Sequence, residues 1–362
     1  LDPPFQLAPG SEEAIRWAAT YGIFHWGPIA WSIYLVPALP IAYFFYVRKQ
    51  PALKVSSALM PVIGEARSNG WTGKLVDILF IFGLLGGGAT TLGLAAPLIT
   101  EGIHHLFGIP RNTLVQVLVL LACTVLFGYS AYMGMEKGIK VLSNINFWGA
   151  MGLLAFILLA GPTIFMLETG LDSLGRMLSN FFVMATWAEP FGGYGSFKNT
   201  HFPQDWTIFY WAWWLVFAPS MGLFVARISR GRTIKQMVVG SIFFGSMGCF
   251  LFFMILGNYG LSLQLSGKLD IVGMLQTDGA YQAIFAILDQ LPFSSVVIAA
   301  FTTLCLIFTA TTFDSISYIL ASVVQNNVTE EPMRWNRLFW AFTLSIMPSI
   351  LLFMGGLATL QT

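Results

Sequence analysis

The sequence predicts an all-α polytopic membrane protein, on three observations. Of its 362 residues, 56% are hydrophobic and only 10% charged, with a mean hydropathy of +0.72, a balance that suits lipid rather than water as the main solvent. Apolar runs near or above the ~20 residues needed to span a bilayer recur along the chain. None shows the alternation of a barrel strand, and unpaired backbone is not tolerated in hydrocarbon, so helices remain. Eight runs are expected to cross, at 20–47, 76–99, 113–134, 145–168, 206–226, 237–257, 296–323 and 335–358. They leave no separate soluble domain, and residues 1–362 read as a single transmembrane domain.

Taken in order, the chain opens at "LDPPFQLAPG", without Met or signal peptide, in what reads as an outer loop. It closes at "GGLATLQT", just past the last run, so both ends read as cuts through a larger membrane domain. The first run carries "FHWGPIAWSIY", which sets Trp26, Trp31 and Tyr34 on one aromatic wall, with Pro28 interrupting the hydrogen bonding early. The second contains "GLLGGGATTLGLAAP", where Gly86, Gly87 and Gly88 allow a neighbouring helix to approach closely. Residues 169–205 and 268–292 mix polar and apolar positions as helices along the membrane surface do; they suit packed connectors or lids over an outer vestibule. The fifth run begins "DWTIFYWAWW", four tryptophans in nine residues, and ends in "ARISRGRT". The seventh holds "FTATTFDSISY".

Dealing the loops alternately to the two sides puts thirteen of the eighteen basic residues on one side, in 48–74, 137–140, 227–235 and 334–337. That side is expected to be cytoplasmic. The net charge of +1 argues against a nucleic-acid partner. Cys123, Cys249 and Cys305 each fall inside an apolar run and read as small buried hydrophobes, with no disulfide framework. His25, His104, His105 and His201 are too scattered to predict a metal centre. No HExxH, no paired carboxylates at membrane depth and no Cys/His cluster suggest an enzyme.

Two features carry chemistry. On a helical wheel Trp206, Tyr210, Trp213 and Phe217 form one stripe, Trp211 and Trp214 another, with Met221 between them. Trp17, Trp71 and Trp206 sit near run ends and read as interfacial belt residues. The rest, with Trp26, Trp31 and Tyr34, make two walls of ring faces whose negative quadrupole suits a cation, best a quaternary ammonium. The competing reading is an aromatic belt at the membrane interface. The second feature is Asp314 at membrane depth, surrounded by Thr309, Thr311, Thr312 and Ser315. Hydroxyl and carbonyl oxygens suit a small alkali cation such as sodium, but the same hydroxyls also bond back to their own helix, and Asp314 also fits simple pairing with another helix.

Together "FHWGPIAWSIY", "FYWAWW" and "ARISRGRT" resemble the betaine/choline/carnitine family of secondary transporters, through essentially the whole chain. The resemblance implies a leucine-transporter-like core of two inverted five-helix repeats, of which this chain lacks the broken first helix and the last. It implies a multi-pass protein of a bacterial inner membrane, working as a homo-oligomer, with a trimer as in relatives. The implied substrate is a small quaternary ammonium or sulfonium solute of the glycine betaine, choline, carnitine or dimethylsulfoniopropionate type, with no covalent cofactor. By position the family's aromatic box falls on Trp26, Trp31, Tyr34, Trp213 and Trp214, with Phe217 where some members have Trp or Tyr. The sodium ligands of the family's glycine betaine symporter match Thr311 and Thr312, with Phe308 beside them, and Thr90 and Thr91 match a second ion position. In the family's sodium-independent carnitine exchanger an arginine fills an ion position, where this chain has Asn146, and a methionine near substrate matches Met221. The resemblance therefore implies sodium-coupled uptake, and leaves sodium-independent exchange and proton-coupled choline carriage as alternatives.

Overall fold

The computed structural model describes residues 2–50, 53–325 and 331–353, with side chains to residue 350. Every regular element among them is helical. In chain order these are α1 Glu12–Trp26, α2 Pro28–Ala42, the short α3 Val55–Ala58, α4 Met60–Ile63 and α5 Glu65–Ser68, then α6 Trp71–Phe107, α7 Thr113–Met133 and α8 Lys140–Ala160. There follow α9 Thr163–Ser179, α10 Phe181–Thr186, α11 Phe209–Ile228, α12 Ile234–Phe252, α13 Asn258–Leu265, α14 Ile271–Thr277, α15 Ala280–Asp289, α16 Ser294–Val323 and α17 Arg334–Phe353. Four π-helical turns, at Tyr43–Val47, Met135–Ile139, Pro203–Ile208 and Phe253–Gly257, adjoin longer helices.

Seven helical stretches among the described residues are long and apolar enough to cross a membrane, and each overlaps one of the first seven expected runs. The eighth run is helical as α17, and its end at 354–358 lies outside the described residues. The boundaries follow capping chemistry. Ser11 accepts from Ala14 N at the start of α1, Asn112 accepts from Val115 N at the start of α7, and Thr233 with Gln236 closes a reciprocal box at the start of α12. Gly108 ends α6 in the left-handed region, φ +68°.

The sequence expectation for 145–168 needs correction. That run is not one helix: α8 stops at Ala160, and α9 begins at Thr163, after Gly161 and Pro162. A proline disfavours helical geometry in the residue before it and brings no N–H to the preceding turn. The first run is likewise two helices, broken at Gly27–Pro28. The segments expected along the membrane surface do form helices, α9 with α10 and α14 with α15.

The described chain groups into two compact units. The first comprises residues 1–35, 154–215 and 232–283. Here α1 packs on α9 and α12 around Trp17, Tyr21, Ile23, Phe24, Met177, Met184 and Phe202. Charged pairs align α1 on α9: Arg16 donates from Nε to Asp172 at 3.0 Å, and Arg176 grips Glu13 while its guanidinium lies 4.9 Å over the Trp17 ring. The Arg16 hydrogen bonds hold the Asp172 carboxyl below the usual carboxylate range. The buried Glu189 ties down the irregular loop after α10. It accepts from Thr200 N and Oγ1 (2.8 and 2.7 Å) and from His201 N (3.1 Å).

The second unit comprises 36–153, 216–231 and 284–362. Its core is α6, α7, α16 and α17. Of the three consecutive glycines, Gly88 is the one that lets these helices close: a Cβ there would stand 3.2 Å from Leu344 and 3.5 Å from Phe313. Gly87 faces the Phe217 ring and Val216 of α11, whereas Gly86 faces open space, so the sequence expectation of close approach holds for two of the three. Phe127 and Phe313 pack at 5.5 Å.

Asp314, fully buried, accepts from Ser130 Oγ of α7 at 2.6 Å. A carboxylate withdrawn from both water and lipid depends on such a partner. Replacing Ser130 by Ala is therefore expected to cost on the order of 1–3 kcal/mol, read as a lower unfolding midpoint in detergent. Thr at that position keeps the hydroxyl and is expected to cost less; equal loss for Ala and Thr would show that packing, not the hydrogen bond, is what matters there.

Candidate onium-binding site

The aromatic site is built from a broken helix. Pro28 has no N–H to offer the turn before it, and the chain restarts at α2, so the last carbonyls of α1 lack helical partners. One of them, His25 O, accepts instead from the indole Nε1 of Trp214 on α11, at 2.9 Å. The kink thus pins the buried Trp214 against the two helices that carry the other wall. Around it stand Trp26, 4.8 Å away at 78°, and Tyr34, 6.0 Å away at 84°; Trp31 follows Tyr34 at 5.9 Å and 86°. All four rings belong to the first unit.

Three consecutive T-shaped pairs put the positive edge of one ring on the negative face of the next. That is the electrostatic contact an onium headgroup makes, with its charge spread over methyl groups. None of the arginine–ring contacts of the described residues involves these four rings, so no resident cation competes for their faces.

The structure sorts the other sequence-predicted residues. Trp213 packs edge-on to Phe209 at 5.4 Å and reaches the four rings only through Trp214, at 6.3 Å. Phe217 and Met221 lie in the second unit; Phe217 is buried, its ring over Gly87 of α6, and Met221 is half-buried. The helical wheel joined Tyr210 to Trp213, but Tyr210 stacks on Trp214, 5.8 Å and 18° between planes. Four steps of 100° leave side chains only about 40° apart, against about 60° for three, so the i, i+4 partner is the nearer one.

Two supports were missed as site residues. Tyr210 backs Trp214, and the buried His25 backs Tyr210 at 5.2 Å while its Nε2 meets Thr207 Oγ1 at 3.1 Å. The i, i+4 series Trp206, Tyr210, Trp214 was the available signal for the first. Nothing in the sequence joins His25 to Thr207, because they meet only across two helical segments.

The second candidate centre is on α16. Thr311 Oγ1 and Thr312 Oγ1 both donate to Phe308 O, at 2.8 and 3.1 Å. Each hydroxyl keeps its lone pairs after giving its hydrogen to that carbonyl, and so fits a small hard cation such as sodium. The Phe308 carbonyl is already shared by both. Thr90 and Thr91 bond back to Gly86 O and Gly87 O on α6, at 3.1 and 3.0 Å. Among the described residues no hydrogen bond joins them to Thr311 or Thr312. Asn146, on α8, is buried with its Oδ1 unpartnered.

The family described as "BCCT, betaine/carnitine/choline family transporter" matches residues 1–362. The chain is also similar to the Escherichia coli K12 protein described as "Uncharacterized transporter YeaV", 34% identical over 99% of this chain and 74% of that protein. A match over the full chain, with seven helical stretches among the described residues long and apolar enough to cross a membrane, leaves one conclusion: this chain belongs to the betaine/carnitine/choline family of transporters.

Proposed function

We propose that the protein carries out sodium-coupled secondary uptake of a quaternary ammonium or sulfonium solute, of the glycine betaine, choline, carnitine or dimethylsulfoniopropionate type, across a bacterial inner membrane. Residues 1–362 act as part of a single transporter domain. The observation that supports this reading most is the continuous set of edge-to-face rings Trp26, Trp214, Tyr34 and Trp31, with no charged side chain among them. A primary amine would call for a carboxylate or a cluster of acceptors at the rings; a methylated onium needs only faces.

Coupling follows from the substrate's charge. A net-neutral betaine gains nothing from the membrane potential, whereas an inward sodium ion brings about 2.3 kcal/mol per 100 mV in addition to its gradient. Thr311 and Thr312 are the residues that would hold it, through their hydroxyl oxygens.

The test is uptake by the intact protein in proteoliposomes, using a panel of these solutes under an imposed sodium gradient and again in potassium alone. Accumulation of an onium solute only with sodium is the expected result. Uptake that is unchanged in potassium points to exchange or proton coupling instead, and failure to bind or move any onium solute overturns the reading altogether.

A further inference from the structure

The ring set rests on a surface that none of the ring-bearing helices supplies. Within the first unit α12, with the turn that follows it, runs antiparallel to α1 and the start of α2. A Cβ built on Gly22 would meet the Phe253 ring, one on Gly27 would lie 3.9 Å from Ser246, and Gly245 faces Trp31. At Gly245 the approach is closest. A Cβ there would stand 2.5 Å from Trp31 Nε1 and closer still to the two ring-fusion carbons Cδ2 and Cε2. These atoms form the middle of a rigid bicycle rather than the end of a flexible chain, so a small rotation does not clear them. One turn further along α12 the Cys249 thiol lies beside the same indole. Trp31 therefore lies with its indole on bare α12 backbone, and Tyr34 and Trp214 are the next rings in line.

We propose that Gly245 is a specificity-determining residue, setting how far Trp31 recedes and hence how wide an onium headgroup the rings admit. The inference rests on the onium reading above. Trimethylammonium is a full tetrahedron with three methyl groups around nitrogen, whereas dimethylsulfonium is pyramidal, with two methyl groups and a lone pair. With Gly at 245 the wider headgroup is accommodated. A methyl at that position moves the indole away from α12 and excludes the wider headgroup first.

The experiment measures KM and kcat for glycine betaine and for dimethylsulfoniopropionate in the intact protein. Wild type, Gly245→Ala, Trp31→Phe and the double variant are compared. In Gly245→Ala the KM for glycine betaine is expected to rise about tenfold or more, the scale of an overpacked contact, with the sulfonium KM changed far less and kcat kept for both. The smaller ring of Trp31→Phe relieves the contact, so the double variant is expected to bind glycine betaine better than Gly245→Ala alone, a non-additivity that simple unfolding does not produce. Equal change for the two solutes, no change for either, or no rescue in the double variant would overturn the proposal. Should Gly245→Ala fail to insert, insertion and glycine betaine transport by the double variant support it, and failure of both overturns it. If the wild type takes neither solute, nor choline or carnitine, the onium reading itself fails; if it takes an onium solute and the variants do not discriminate by headgroup width, only the role of Gly245 does.

Discussion

Trp214→Leu is expected to weaken onium binding by about 30-fold or more, with folding and membrane insertion kept. Leucine keeps apolar volume but has no quadrupole, and a desolvated cation–π face contributes ~2 kcal/mol, equivalent to ~30-fold in affinity. The substitution also removes the indole N–H that His25 O accepts at 2.9 Å. An unpaired buried carbonyl costs ~1–3 kcal/mol and frees the α1–α2 kink to shift the rings of Trp26 and Tyr34. Phenylalanine at 214 keeps a smaller ring face and loses the N–H, so its effect is expected to fall between wild type and Leu. Trp31→Leu should likewise lose affinity, since it removes an outer ring of the same set. Equilibrium binding of glycine betaine to the purified intact protein reads all of these directly. Leu and Phe variants that bind equally well would refute the quadrupole argument.

Replacing Thr311 and Thr312 together by Ala is expected to raise the sodium concentration for half-maximal uptake, about tenfold or more, while the aromatic set is untouched. Each hydroxyl lost from a small cation's shell removes a charge–dipole contact of the order of 1.5–3 kcal/mol. Both hydroxyls converge on Phe308 O, so the two changes act on one place. If sodium and substrate bind cooperatively, linkage requires that each raise the other's affinity by the same factor. Substrate affinity measured at saturating sodium should then stay near wild type, and affinity at low sodium should fall. An unchanged sodium dependence of uptake would remove these threonines from the coupling site. Serine at both positions keeps the hydroxyls and is expected to preserve coupling.

Much of this protein is written in local sequence. Composition and run length predicted the class and the positions of the spans, because the cost of backbone in hydrocarbon leaves a segment of some twenty apolar residues few choices. The kink at Gly27–Pro28 and the caps at Ser11, Asn112 and Thr233 are likewise effects of the residues themselves on their own backbone. The split at Gly161–Pro162 was equally local and was overlooked because apolar character continues across it.

What the tertiary structure decided is which ring meets which. Composition put tryptophan at both 213 and 214, but only Trp214 reaches the carbonyl freed in α1, and only its ring meets Trp26 and Tyr34. Phe217, three residues on, turns to Gly87 of α6. The closer hydroxyl partner of Asp314, Ser130, lies on α7, 184 residues away in sequence, and the absence of a side chain at Gly245 matters only because Trp31 lies upon it. The physical reason is that burial in lipid and hydrogen bonding within a helix depend on a residue and its near neighbours, so periodicity and spacing reveal them. The direction of a ring face and the depth of a pocket depend on how helices far apart in the chain pack together, and no short stretch of sequence carries that.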